Sequence, residues 1–125
     1  MILQPVTSSP ALARAFCDRV LDETRCSEEV RSDARLVVSE LVTNAVLHAG
    51  TSIDLNVRLE ASALRIEVTD RGADRPQVWA NDDMSGRGMR IVAALGQAWG
   101  VLDLASGKTV WCEIPLNNGS GGSVV

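Results

Sequence analysis

Residues 39–50, SELVTNAVLHAG, combine the spacing of an amphipathic helix with a row of polar side chains. Glu40, Asn44 and His48 follow one another at four-residue steps, so a helix would stack a carboxylate, an amide and an imidazole on one side. The apolar residues of the same helix lie beside this row rather than opposite it. We therefore expect the row at the margin of the core, where a pocket can open.

The chain up to this stretch predicts two helices. The first has Ser9 as its expected N-cap and runs to about Thr24. Its expected core-facing residues are Leu12, Phe16 and Val20, which repeat at helical spacing, beside Cys17 and Leu21. The second begins at Ser27 and ends at Gly50, a residue type common just after helix ends, so it contains the polar row.

Downstream of these helices the sequence changes to the alternation typical of half-buried strands. Residues 53–60 and 64–70 predict one antiparallel hairpin, and residues 98–105 and 108–115 predict another. A helix from Met89 to about Gln97 precedes the second hairpin. This order predicts an α+β fold, a two-layer sandwich in which a mixed, mostly antiparallel sheet is covered on one face by helices.

Length and composition limit the function classes. The 125 residues fit one domain, expected over residues 1–116, with a flexible Gly/Ser-rich tail at 117–125. The net charge of −4 and the scattered arginines disfavour direct nucleic-acid binding. Three cysteines without paired spacing predict neither a disulfide framework nor a zinc site. No segment approaches the roughly 20 apolar residues of a membrane span, so we expect a cytoplasmic protein.

Two further patches carry residues suited to ligand binding. Asp70-Arg71-Gly72 ends a predicted strand, and SGRGMRIV, residues 85–92, leads from a loop into a helix. Glycines before a helix N-terminus allow backbone N–H groups to approach a phosphate. Each patch alone also has an ordinary explanation, because Asp before Gly often makes a turn and glycines often precede a helix.

Several other catalytic schemes are excluded by sequence. The single histidine rules out HExxH, and neither a GxSxG elbow nor a GxxxxGK[ST] phosphate loop is present. The GxG of residues 86–88 lacks the preceding strand and third glycine of a dinucleotide-binding fingerprint.

Taken together and in this order, the patches resemble the ATP-binding boxes of the Bergerat-fold (GHKL, histidine-kinase-like) ATPases. The matching segments are ELVTNAVLH at 40–48, VTDRG at 68–72, GRGMRIV at 86–92 and KTVWCEI at 108–114. The resemblance covers about residues 2–116 and is greatest to the bacterial anti-sigma-factor serine/threonine kinases.

The resemblance implies an ATP pocket with the second helix as one wall and the sheet as its floor. Glu40 would be the general base, and Asn44 would offer its amide oxygen to Mg²⁺. Asp70 would accept the exocyclic N–H of adenine, and Gly72 would leave space beside the base. The other implied ATP contacts are His48, Gly86, Arg87, Gly88, Met89 and Thr109.

The resemblance also implies where some of these contacts lie in the pocket. The segment from Gly86 to Met89 would hold the phosphates, and Thr109 would lie beneath adenine. Arg87 would project either toward the terminal phosphate or outward toward an acidic partner surface. The chain departs from the family pattern at Asp74, where a further glycine is common, and in the compact loop from Ala73 to Ser85.

The implied partners are ATP or ADP and an antagonist (anti-anti-sigma, STAS-like) protein as phosphorylation substrate. A sigma factor is a further candidate partner, and a homodimer a candidate assembly. An alternative is a non-catalytic switch whose nucleotide state selects a partner. A histidine-kinase catalytic fragment is less favoured, since neither a phosphoacceptor-histidine helix nor a dimerisation segment is recognisable.

Overall fold

The computed structural model describes residues 1–48, 50–72 and 87–116. Within these ranges the chain forms three helices and one five-stranded sheet. In chain order the elements are β1 (Ile2–Leu3), α1 (Ser9–Leu21), α2 (Glu28–His48), β2 (Ile53–Glu60), β3 (Ala63–Asp70), α3 (Arg87–Leu95), β4 (Ala98–Leu104) and β5 (Gly107–Pro115). The strand order is β1-β2-β3-β5-β4. The predicted α+β sandwich is confirmed.

Each pair of neighbouring strands in this sheet is antiparallel. The sheet is thus more uniform than the mixed sheet expected from sequence. The edge strand β1 was not predicted, because two residues are too few to show alternation. Leu3 of this strand is nevertheless buried, and Leu3 pairs with Ile53 in the sheet register.

The first helix differs from its prediction at both ends. Ser9 is its first residue, not its N-cap, and the Ser9 hydroxyl donates to the carbonyl of Gln4. The helix ends at Leu21, and the Thr24 hydroxyl donates to the carbonyl of Leu21 at 2.9 Å. The second helix agrees better: Ser27 Oγ accepts the N–H of Val30 at 3.1 Å, as an N-cap does, and Gly50 has the positive φ of +69° that favours glycine after a helix.

The core lies between the helices and one face of the sheet. Alternate residues of the two central strands face it, and they are fully buried at Leu64, Ile66, Cys112 and Ile114. On α1 the expected core residues Cys17 and Leu21 are fully buried, as is Ala13, which was not predicted. Phe16 and Val20 are partly buried against the core, whereas the prediction for Leu12 was wrong because Leu12 is exposed. Among the described residues, no helix is long and apolar enough to cross a membrane.

Two cysteines in this core are expected to be chemically inert. Burial raises the pKa of the Cys17 thiol to about 12, and burial likewise raises the pKa of Cys112 to about 12. A raised pKa keeps the thiol protonated at pH 8, and the thiolate is the reactive form. We expect iodoacetamide to label the half-buried Cys26 roughly 10²- to 10³-fold faster than either.

Mass spectrometry of labelled peptides measures the three rates on the folded protein. In denaturant, as a control, all three thiols should react at similar rates. Labelling of Cys17 or Cys112 as fast as Cys26 in the folded protein would contradict the buried positions of these thiols.

Candidate functional site

The polar row predicted from sequence lies on α2 as expected. Glu40, Asn44 and His48 are each half-buried, while Leu41 and Ala45 between them are buried in the core. A position between core and solvent lets a side chain be held by packing while its polar end stays accessible. The second helix therefore presents a carboxylate and an amide one turn apart at the edge of the core.

The start of α3 approaches this row closely. A Cβ atom placed on Gly88 would lie only 2.5 Å from Glu40 Oε1, so a side chain at this position would require the carboxylate to move. Met89 follows it with 2% of its surface exposed and packs in the core. Its apolar side chain thus anchors α3, and only its backbone is suited to a phosphate contact. The first and third sequence patches therefore meet in space.

The second patch forms a buried turn at the end of β3. Asp70 has only 2% of its surface exposed, and its Oδ1 accepts the backbone N–H of Gly72 at 2.9 Å. This hydrogen bond is an Asx-type turn, which explains an aspartate two residues before a glycine. Gly72 is buried as well. The turn directs the chain out of the sheet and holds the carboxylate at the level of the core.

The other oxygen of this carboxylate has a partner that sequence reasoning missed. Lys108 Nζ donates to Asp70 Oδ2 at 2.9 Å, and the side chains of both residues are 2% exposed. The cross-strand register pairs the two residues directly. A signal for this position was available, because Lys108 continues the alternate core-facing residues Val110 and Cys112 toward the start of β5.

The structure does not bring Thr109 to this carboxylate. Thr109 pairs with Thr69, and their Oγ1 atoms are 2.7 Å apart. Neighbouring residues of a strand point to opposite sheet faces, so Thr109 lies on the face opposite to Asp70 and Lys108. Lys108, and not Thr109, therefore lies beside Asp70, and the position of Thr109 beneath adenine stays a prediction.

The buried charges of Asp70 and Lys108 compensate each other, and both groups are hydrogen-bonded. An unpaired buried charge is costly, whereas a buried pair is tolerated when hydrogen bonds satisfy both partners. No buried side-chain nitrogen or oxygen in the described part of the chain lacks a hydrogen-bond partner. The carboxylate of Asp70 is consequently held from two directions, by a backbone N–H and by an ammonium group.

A divalent cation would need ligands from more than protein carboxylates. Within residues 1–48, 50–72 and 87–116, no cluster of three His, Cys, Asp or Glu side chains could hold a metal ion. Mg²⁺ is commonly bound by one or two protein oxygens together with substrate phosphates and water. The half-buried amide of Asn44, one turn after Glu40, fits that sparse ligand set.

Some predicted contacts lie outside the described residues. These are Gly86 and the side chain of Arg87. The two departures from the family pattern, Asp74 and the loop from Ala73 to Ser85, also lie outside the described residues. The backbone of Arg87 begins α3, which places the predicted phosphate-binding segment at a helix N-terminus.

The sequence profile described as "Histidine kinase-like ATPase domain" matches residues 6–112, which is most of the chain and contains all three patches. The chain belongs to this family of histidine kinase-like ATPases. The family fold binds ATP, in keeping with the positions of the three patches. A comparison with curated proteins gave no significant match.

Solved structures of the same fold come from several bacteria. The histidine kinase domain of a blue-light activated kinase from Erythrobacter litoralis has 28% identity and a TM-score of 0.62, and the match covers 74% of this histidine kinase-like ATPase and 48% of that chain. The RsbU and RsbW domains of Rv1364c from Mycobacterium tuberculosis have 22% identity and a TM-score of 0.71, with 93% and 32% covered. The histidine kinase AdeS of Acinetobacter baumannii has 18% identity and a TM-score of 0.57, with 94% and 68% covered. The match thus spans less than half of the first two structures.

Proposed function

We propose that this histidine kinase-like ATPase is a protein serine/threonine kinase of the anti-sigma-factor type. It would bind ATP and phosphorylate a Ser or Thr of an antagonist (anti-anti-sigma, STAS-like) protein. The observation that carries the proposal is the contact of the Glu40 carboxylate with the first turn of α3 at Gly88. A carboxylate beside the N-terminus of α3, where the terminal phosphate would lie, can accept the proton of an attacking hydroxyl, a role that a simple nucleotide switch does not require.

The reaction follows from the position of this carboxylate. Glu40 accepts the proton of the substrate hydroxyl as the hydroxyl oxygen forms a bond to the γ-phosphorus of ATP. The bond between that phosphorus and the β–γ bridging oxygen breaks, and ADP leaves with both electrons of this bond. Mg²⁺, when bound, neutralises phosphate charge, and the Asn44 amide oxygen would be its protein ligand.

The remaining residues bind and orient the nucleotide. Asp70 would accept the exocyclic N–H of adenine, because its carboxylate is held in a buried turn and is an acceptor only. Gly72 leaves space beside the base. Backbone N–H groups from Gly86 to Met89 would bind the phosphates at the N-terminus of α3. The roles of His48 and Arg87 as nucleotide contacts are part of the same proposal.

The proposed protein partner has the chemistry of a kinase substrate with an accessible hydroxyl. The resemblance of ELVTNAVLHAG to anti-sigma-factor kinases supports an antagonist protein, with a sigma factor as a sequestered partner. The fold shared with the structure titled RsbU and RsbW domains is compatible with this proposal. The test is incubation with γ-labelled ATP and purified candidate antagonists, followed by phosphoserine and phosphothreonine detection.

The adenine contact gives a direct prediction for binding. Asp70→Asn should weaken ATP binding by about 1 to 3 kcal/mol, because a neutral amide replaces a charged acceptor. Isothermal titration calorimetry with ATP and Mg²⁺ measures this difference, and circular dichroism checks that the variant is folded. If ATP binds equally well to the wild type and to a folded Asp70→Asn variant, the adenine pocket lies elsewhere.

A further inference from the structure

Lys108 is an unusual residue at its place in the sheet. It is among the largest fully buried side chains of the described chain, although lysine is rarely buried. The following core-facing residues of β5 are apolar, so an apolar residue at this position would continue the core pattern at lower desolvation cost. The buried ammonium therefore requires an explanation beyond fold stability.

Lys108 and the backbone of Gly72 bind different oxygens of the Asp70 carboxylate. Its Nζ lies 2.9 Å from Asp70 Oδ2, while the N–H of Gly72 lies 2.9 Å from Oδ1. With one donor on each oxygen, the planar carboxylate cannot rotate without losing a hydrogen bond. Since an ionised carboxylate has about four lone-pair positions, acceptor capacity remains on both oxygens. Its direction, however, is fixed by the two donors.

We propose that Lys108 is a specificity-determining residue, which positions the Asp70 carboxylate so that the pocket selects a purine with an amino group where hypoxanthine has its carbonyl oxygen. This inference rests on the proposed function, because it assigns the nucleobase to Asp70. An ionised, fixed carboxylate complements the N–H of adenine and opposes the carbonyl oxygen that hypoxanthine carries at the same place. Lys108 acts through Asp70 and needs no contact with the nucleotide.

Loss of the ammonium removes one of the two donors that fix the acceptor. Without Lys108 only the N–H of Gly72 holds the Asp70 carboxylate, which can then rotate about this contact. Rotation weakens its hydrogen bond to adenine and lets it turn away from the carbonyl oxygen of hypoxanthine. Removing Lys108 should therefore reduce the preference for ATP over ITP, whereas a purely structural lysine would lower both affinities equally.

The test measures ATP and ITP affinities by calorimetry for four proteins. We expect the wild type to prefer ATP by roughly 10- to 100-fold. Lys108→Met should reduce this ratio at least about tenfold. Lys108→Arg, which keeps a cationic donor for Asp70, should reduce it less than Lys108→Met does. Asp103→Asn is the matched control, because Asp103 pairs with Lys108 in register from the opposite strand, β4, and is exposed. Its ratio should equal that of the wild type.

A double variant covers the case in which Lys108→Met does not fold. Asp70→Asn with Lys108→Met buries no unpaired charge, and we expect its ATP-to-ITP ratio to match that of Asp70→Asn alone. A further change of the ratio in the double variant would overturn the inference, as would an unchanged ratio in folded Lys108→Met.

The outcomes also separate this inference from the proposed function. If the wild type does not bind ATP, or if Asp70→Asn leaves ATP affinity unchanged, the proposed function fails. If Asp70→Asn lowers the ATP preference but folded Lys108→Met leaves it intact, only the role of Lys108 is overturned.

Discussion

Glu40→Gln is expected to lower phosphotransfer by a factor of about 10² to 10⁴ while ATP affinity stays within about twofold of the wild type. Glutamine has the size of glutamate but cannot accept the proton of the attacking hydroxyl. The side chain is half-buried on α2 and lies against Gly88 of α3. Because packing at this contact depends on shape, the substitution should leave the helices in place.

Single-turnover transfer of labelled phosphate to the antagonist protein measures the chemical step, and calorimetry measures ATP binding. Glu29→Gln is the matched control, because Glu29 lies in the first turn of the same helix and is exposed. It should leave both quantities unchanged. Normal phosphotransfer by Glu40→Gln would remove Glu40 from the mechanism, and equal loss of binding and transfer would indicate disruption of the pocket.

Gly107→Ala is expected to lower the free energy of unfolding by about 3 kcal/mol or more. Gly107 opens β5 with φ of +151°, a region that L-residues with a side chain rarely adopt. A Cβ atom there would overlap the carbonyl oxygen of Asp70 and lie 2.7 Å from the Cα of Arg71. These are backbone atoms at the end of β3, so no side-chain rotation can relieve the collision.

Urea unfolding followed by tryptophan fluorescence measures this loss. Gly50→Ala is the control, because Gly50 also has a positive φ, of +69°, but nothing lies within 4 Å of a Cβ atom there. Its cost should be about 1 to 2 kcal/mol, from backbone strain alone. If Gly107→Ala is no more destabilising than Gly50→Ala, the close approach of β5 to the turn after β3 is contradicted. The close packing of Gly107 on the backbone of Asp70 also holds this residue in place, so Gly107→Ala should weaken ATP binding as well.

The sequence by itself determined the elements with strong periodic patterns. The second helix and the strands from Ile53 to Asp70 agree with their predictions within two residues. Their patterns are unambiguous because each element buries one face and exposes the other. The order of the three patches also indicated the family correctly, since each patch is one short segment that the local sequence specifies.

The tertiary structure decided which residues meet. Alternation along β5 separates Lys108 from Thr109, but only the register with β3 shows that Lys108 is the residue beside Asp70. Register depends on the partner strand and the turn, not on either strand alone. The contact of Gly88 with Glu40 likewise depends on how two helices distant in sequence pack together.

The same dependence on tertiary packing explains why the buried face of α1 differs from its prediction. Leu12 is more hydrophobic than Ala13, yet Leu12 is 51% exposed and Ala13 is fully buried. Cys17 and Leu21 were expected in the core together with Leu12, and Ala13 was missed because hydrophobicity alone favours the larger leucine. Contact with α2 and the sheet selected the stripe of Ala13, Cys17 and Leu21. Which stripe is buried is a property of the neighbouring surface, and that surface exists only once the chain has folded.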